Sequence, residues 1–339
     1  MTLDEHPQFE ELIGITADRL GILPELVRKD YWVVRCLRAI RSDEVLRAQV
    51  IFKGGTSLSK GWQIIDRFSE DVDLLTTGPN FSAMPGKAAR KAVFAAILDA
   101  VEMQTPLRRP NREGLRDEEQ RFLYSSGDKY KHCSARLPLP GCSIKSSSNS
   151  AEFILLEMGF RGSAHPTTTV SLNSFVAETI RDTNRDERLA LRDYEADFAE
   201  FDFILLDPTL TFVEKLLAVH CSVSRGVEDV RTRHYYDIAA LYNRRPEIPA
   251  MIDSGDFKVL LRQAIDISNV NFEANVDLDL DLTRSPALNL TDQQTAQLDR
   301  QYQREARFYF KGQPPFREIT ATVSQIREHL AALIVSKAK

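Results

Sequence analysis

The chain has 339 residues, a formal net charge of −5, 43% hydrophobic and 27% charged residues, the make-up of a globular protein with one large or two smaller domains. That acidic balance gives no overall pull toward nucleic acid, so any RNA or DNA contact needs a local basic surface. No apolar run approaches the roughly 20 residues that span a bilayer. The acidic opening MTLDEHPQFEE does not read as a signal peptide. Four scattered cysteines without CxxC spacing argue against a disulfide framework or a zinc site. The expectation is a cytoplasmic protein with no membrane partner.

Apolar periodicity predicts helices over 9–19 and 23–40, meeting at Gly21; Leu26, Trp32, Val33, Cys36, Leu37 and Ile40 form the inner face of the second. Trp32 reads as a core aromatic. Residues 49–52 are β-prone and run through Lys53 into the Gly54-Gly55 breaker. Thr56 or Ser57 can cap a short helix there, leaving backbone N–H groups where a phosphate could sit. Residues 69–75 alternate, with Asp71 and Asp73 on one strand face and Val72 on the other. Two such carboxylates beside a glycine turn can hold Mg²⁺ for phosphoryl or nucleotidyl transfer. Either half alone is common in turns and loops; the strand–turn–helix–strand combination carries the inference.

Lys53-Gly-Gly-Thr-Ser-Leu-Ser-Lys60 followed by Arg67-Phe-Ser-Glu-Asp-Val-Asp73 resembles the AbiEii/AbiGii toxin family of nucleotidyltransferases, within the DNA polymerase β-like superfamily. The gap from Gly55 to Asp71 is longer than in many superfamily members and fits this branch. Lys29-Asp30-Tyr31-Trp32 also resembles the segment that precedes the family's glycine motif.

Farther on, 76–85 reads as a loop and 87–103 as a helix. Residues 105–150 read as an irregular insertion. Its Arg108, Arg109, Arg112, Arg116, Lys129, Lys131 and Arg136 interleave with Phe122, Tyr124 and Tyr130, a pattern suited to phosphates and unpaired bases. Glu113, Asp117, Glu118 and Glu119 offset that charge, so a solvated insertion is an equal reading. Residues 151–162 form an apolar strand in which Phe153, Leu155 and Glu157 share a face. A charge there is costly without a partner such as a cation. The resemblance implies that Glu157 is the third metal carboxylate.

A further strand is expected over 170–178, a loop and helix in the charged run 179–201, and a strand over 203–206. Helices follow from Thr209 to Arg225-Gly226 and over VRTRHYYDIAALYN, then over 256–265, 292–305 and 316–336. The acidic VDLDLDLTR reads as a linker or exposed strand. Taken alone, Lys215 and Asp237 are a salt bridge. Glu-Lys-Leu-Leu-Ala and Arg-His-Tyr-Tyr-Asp-Ile resemble the family's two later motifs, which implies that Lys215 contacts the triphosphate and Asp237 orients it or accepts a proton.

The expected fold is α/β of the α+β type, a polymerase β-like core over 1–207 and a helical C-terminal domain over 208–339 that contributes Lys215 and Asp237. The resemblance spans roughly residues 20–245. It implies Mg²⁺-dependent transfer of a nucleoside monophosphate from an NTP, with pyrophosphate released. Gly54, Gly55, Thr56 and Ser57 would hold the triphosphate, Asp71 and Asp73 the metal, and Lys60 and Arg67 would add positive charge. It further implies a toxin of a toxin–antitoxin or phage-defence system, an RNA acceptor with the 3′ end of tRNA foremost, and a separately encoded antitoxin. Ser69, two residues before Asp71, is a candidate regulatory phosphorylation site. Two rival readings are a phosphotransferase moving the γ-phosphate and a catalytically inactive nucleotide- or RNA-binding module.

Overall fold

The computed structural model describes residues 2–69, 71–76, 85–145, 147–160, 162, 164–181, 192–272 and 274–336. Most of the loop expected over 76–85 and part of the charged run over 179–201 lie outside these residues. The chain divides into two compact units, Met1–Gly61 with Phe68–Phe160 and Thr167–Leu205, and Trp62–Arg67 with Arg161–Pro166 and Leu206–Lys339.

The first unit is built on a mixed sheet of β1 (Val50–Lys53), β2 (Asp71–Thr76), β3 (Tyr124–Gly127), β4 (His132–Pro138), β5 (Phe153–Gly159), β6 (Thr167–Leu172) and β7 (Phe201–Leu206). Their spatial order is β3-β4-β5-β2-β1-β7-β6. β1 runs antiparallel to β2 and parallel to β7, and β2 runs parallel to β5. The two carboxylate-bearing strands are therefore neighbours at the middle of the sheet. Val72, Leu74, Ile154, Leu156 and Met158, which alternate with the carboxylates, are buried on the other face, and the two-residue period thereby fixes the register.

The helix Pro24–Ser42 begins with proline at its first turn and buries Trp32, Val33, Cys36, Leu37 and Ile40. It packs against the helices Phe9–Leu20 and Lys87–Gln104. Two local expectations fail. The insertion contributes the edge strand β3 and its neighbour β4, whose Cys133, Ala135 and Leu137 alternate onto the buried face. Residues 170–178 are not one strand: β6 ends at Leu172, and Ser174 accepts the Ala177 N–H at 3.1 Å, capping the helix Phe175–Arg181.

The second unit is helical. Asp207 caps the helix Pro208–Arg225 by accepting the Thr209 N–H at 2.9 Å. Helices Arg233–Arg244, Glu247–Ser254, Asp256–Phe272, Asp292–Gln303 and Phe316–Ser336 follow. Phe212, Leu216, Tyr235, Ile238, Ile252, Leu298 and Phe316 are among its buried residues. The acidic tract before Arg284 forms no strand; Asp277 and Asp281 instead accept backbone N–H groups two residues on, at 2.9 and 3.0 Å.

Candidate active site

In the first unit the sheet register brings three carboxylates together. Asp71 and Asp73 alternate on β2, and Asp73 lies directly opposite Glu157 on β5, so all three share one sheet face. Their ligating oxygens lie within 4.8 Å of one another, and each residue is half-buried. Two oxygen ligands of one Mg²⁺ stand up to about 4.2 Å apart, so hard oxygen donors at this spacing fit that ion after a small side-chain adjustment.

Gly54 completes the arrangement. Its φ of +76° is in the left-handed region, and a Cβ there would stand 1.9 Å from Asp73 Oδ2. Glycine is required on both counts: the backbone conformation disfavours a side chain, and the carboxylate occupies its space. The helix Gly54–Lys60 starts at this turn. Thr56 donates its hydroxyl to the Asp71 carbonyl, and Ser57 donates to the Gly54 carbonyl at 2.9 Å. These two hydroxyls brace the turn, while the backbone of Gly54 and Gly55 carries no side chain to obstruct a ligand. Ser69 is buried and donates to Asp71 Oδ1 at 2.9 Å.

Arg136 stands on β4 opposite Leu155, on the same face as Glu157. Burial lowers its pKa and the Glu157 charge works against that, so the two side chains sense each other.

Lys60 and Arg67, expected to lend positive charge to a nucleotide, are instead committed inside the protein. Lys60 pairs with Asp30 at 2.8 Å and lies 3.8 Å from the centre of the Phe175 ring, with Glu178 also 3.8 Å away. Asp30 accepts the Phe175 N–H at 2.7 Å. Burial raises the Asp30 carboxyl above its ordinary range despite the opposing Lys60 charge, and burial likewise raises Glu178. Lys29 donates to the Ser150 carbonyl at 2.7 Å and stands near the Phe68 and Phe153 rings. The motif Lys29-Asp30 thus ties helix to neighbouring chain, a role its sequence alone left open.

Within the second unit, Arg67, Lys215 and Asp237 form one buried cluster. Arg67 donates to Asp237 through Nε at 2.7 Å and Nη2 at 2.6 Å, and Lys215 Nζ lies 2.8 Å from Asp237 Oδ2. Asp237 is 0% exposed and Arg67 2%, whereas Lys215 retains 8%. Burial alone would raise the Asp237 carboxyl; the Arg67 and Lys215 charges overcome it and hold it well below the ordinary carboxylate range. A carboxylate so held is a weak base and a strong orienting group. Beside it, burial and the Lys215 charge push His234 well below its usual value, keeping the imidazole neutral. Tyr236 accepts the Asp66 N–H at 2.9 Å, which fixes the segment leading to Arg67.

A glycine turn pressed against one of three carboxylates, on adjacent central strands of a mixed sheet, defines the class: a nucleotidyltransferase-type α+β protein. Comparison of the sequence with family models agrees. The model described as nucleotidyl transferase AbiEii toxin, type IV toxin–antitoxin system, matches residues 35–325. The chain belongs to this family, a family of toxins that act in systems with a separate antitoxin. The match continues well past residue 245 into the C-terminal helices, farther than the motifs alone suggested. No curated protein matches the chain. Among the described residues, no helix is long and apolar enough to cross a membrane.

Proposed function

We propose that the chain transfers a nucleoside monophosphate from an NTP to the 3′ end of an RNA acceptor, tRNA foremost, and depends on Mg²⁺. The observation that carries this reading is the grouping of Asp71, Asp73 and Glu157 within 4.8 Å, with Asp73 against Gly54. In the transfer, the acceptor hydroxyl gives up its proton to water and its oxygen bonds to the α-phosphorus while the bond from that phosphorus to the bridging oxygen breaks, and pyrophosphate leaves. Asp71, Asp73 and Glu157 would hold the metal, which when bound supplies positive charge to the triphosphate. Gly54 and Gly55 offer backbone N–H groups to the phosphates, with Thr56 and Ser57 bracing the turn. Lys215 offsets phosphate charge, and Asp237 fixes Lys215 rather than taking a proton. Lys60 and Arg67 act by positioning their segments.

The tRNA acceptor rests on the resemblance to family members that modify tRNA. A cytoplasmic toxin of a toxin–antitoxin or phage-defence system, answered by a separately encoded antitoxin, fits both the family and the free cysteines. Phosphate on Ser69 would set like charge against Asp71 and silence the site. The test is pyrophosphate release from NTP and RNA by the wild type and by Asp73→Ala. Release that is lost in the variant supports the reading; γ-phosphate transfer without pyrophosphate replaces it with a phosphotransferase.

A further inference from the structure

Between the insertion and the helix Lys87–Gln104 lies a cavity of about 520 Å³ that none of Asp71, Asp73 and Glu157 lines. It is lined by the helix Lys87–Gln104 and by the chain around Arg112, Tyr124, Tyr130 and Arg136. Tyr124 pairs with Ala135 across β3 and β4, one residue out of phase with the Ser134–Glu157 pair, so it stands on the sheet face away from the carboxylates.

Lys91 and Arg112 line the cavity, and among the described residues neither has an ion-pair partner. Arg109 is different, because Asp99 and Glu102 neutralise it at 2.5 and 2.7 Å. Glu113 is the one acid among the described lining residues. Arg112 stacks over the Tyr124 ring at 4.7 Å, which holds its guanidinium at the cavity wall.

Tyr130 is presented by a turn built for it. Lys129 and Tyr130 both have left-handed backbones, φ +53° and +64°, a conformation that costs an ordinary residue free energy. Buried Arg90 holds that turn, donating to the Lys129 carbonyl through Nε at 3.1 Å and Nη2 at 2.6 Å. The Tyr130 ring meets no other ring and its hydroxyl makes no hydrogen bond among the described residues. A presented aromatic ring beside two unpaired cations matches an unpaired nucleotide, base on the ring and phosphate on the cations.

We propose that this cavity binds an unpaired nucleotide of a single-stranded RNA, with the base on Tyr130 and the phosphates on Lys91 and Arg112. The proposal rests on the RNA-acceptor reading above and assigns that acceptor a second point of contact.

The test measures fluorescence anisotropy of a labelled ten-nucleotide unstructured RNA, and of a labelled mononucleotide, with the full chain. Tyr130→Ala is expected to weaken RNA binding about 5- to 100-fold while Tyr130→Phe keeps it. Arg112→Ala is expected to lower the slope of log affinity against log salt by about 0.7, the mark of one lost phosphate contact on a single strand. Thermal melting of each variant confirms that it is folded. RNA affinity unchanged in a folded Tyr130→Ala overturns the proposal. So does a Tyr130 effect confined to the mononucleotide, which marks a free-nucleotide site, or one reproduced by a polyglutamate peptide competing equally well, which marks an acidic-protein site. Asp73→Asn separates the two readings: it should abolish transfer and leave Tyr130-dependent RNA binding intact. If the wild type transfers nothing to RNA yet binds it through Tyr130, the function reading fails and the cavity assignment stands.

Discussion

Replacing Gly54 with alanine puts a methyl group 1.9 Å from Asp73 Oδ2 and 2.7 Å from its Cγ, where ordinary contact begins at 3.4 Å. The carboxylate must swing by roughly 1.5 Å, and a misplacement of about 1 Å at a reacting site costs on the order of 100-fold in rate. The φ of +76° adds about 1–2 kcal/mol of backbone strain for any residue with a Cβ. Gly54→Ala should therefore lose about 1–2 kcal/mol of stability in urea denaturation and on the order of 100-fold or more in nucleotidyl transfer at saturating NTP. Gly14 is the control: it sits inside the helix Phe9–Leu20, and a methyl group added there meets nothing within 4 Å. Gly14→Ala should gain about 0.5–1 kcal/mol and keep full transfer. Full transfer by a folded Gly54→Ala would refute the claim that Asp73 must lie against that glycine.

Asp237→Asn leaves Arg67 and Lys215 buried without their shared carboxylate and should cost about 3–5 kcal/mol at neutral pH. Because the folded carboxyl is held below its unfolded value, its contribution is present above about pH 4 and fades as the pH falls toward the folded value, so the wild-type advantage in urea should shrink below pH 4. Lys60→Met strands the Asp30 carboxylate and should cost a similar amount, about 3–5 kcal/mol. Asp30 is raised on folding, so the folded state binds the proton more tightly, and stability of that variant should recover as pH falls; denaturation midpoints at pH 7.5 and 5 measure it. Ser69→Glu should be folded and inactive in transfer while Ser69→Ala remains active, and a fully active Ser69→Glu would remove the regulatory reading of that hydroxyl.

The central motif was legible because its determinants are local. Gly54 is demanded by a backbone angle and a close approach, and the Asp71–Asp73 face follows from strand alternation. A carboxylate stands out in the apolar strand around Glu157, but only the family resemblance pointed it at a metal; the register that sets it opposite Asp73 is non-local. The partners of Lys60 and Arg67 were not legible, since Asp30 and Asp237 are distant in sequence and a cation in a motif looks the same whether it faces solvent or a buried carboxylate. Lys215–Asp237 fits its plain reading as a salt bridge, with Arg67 as the unforeseen third member. The edge strand β3 escaped because Tyr-Ser-Ser-Gly carries little apolar character, whereas β4, in which Cys133, Ala135 and Leu137 alternate inward, was masked by the charged and turn-rich chain on either side of it. The helix Glu247–Ser254 was hidden by Pro249, which lies in its first turn, where proline is tolerated.

The most direct measurement incubates the purified chain with total RNA, Mg²⁺ and each α-³²P-labelled NTP in turn, beside Asp71→Ala. The account predicts label in a tRNA-sized band with one nucleotide, absent from the variant and absent when EDTA replaces Mg²⁺. Label that persists in Asp71→Ala, or no label in any RNA with any nucleotide, would contradict it.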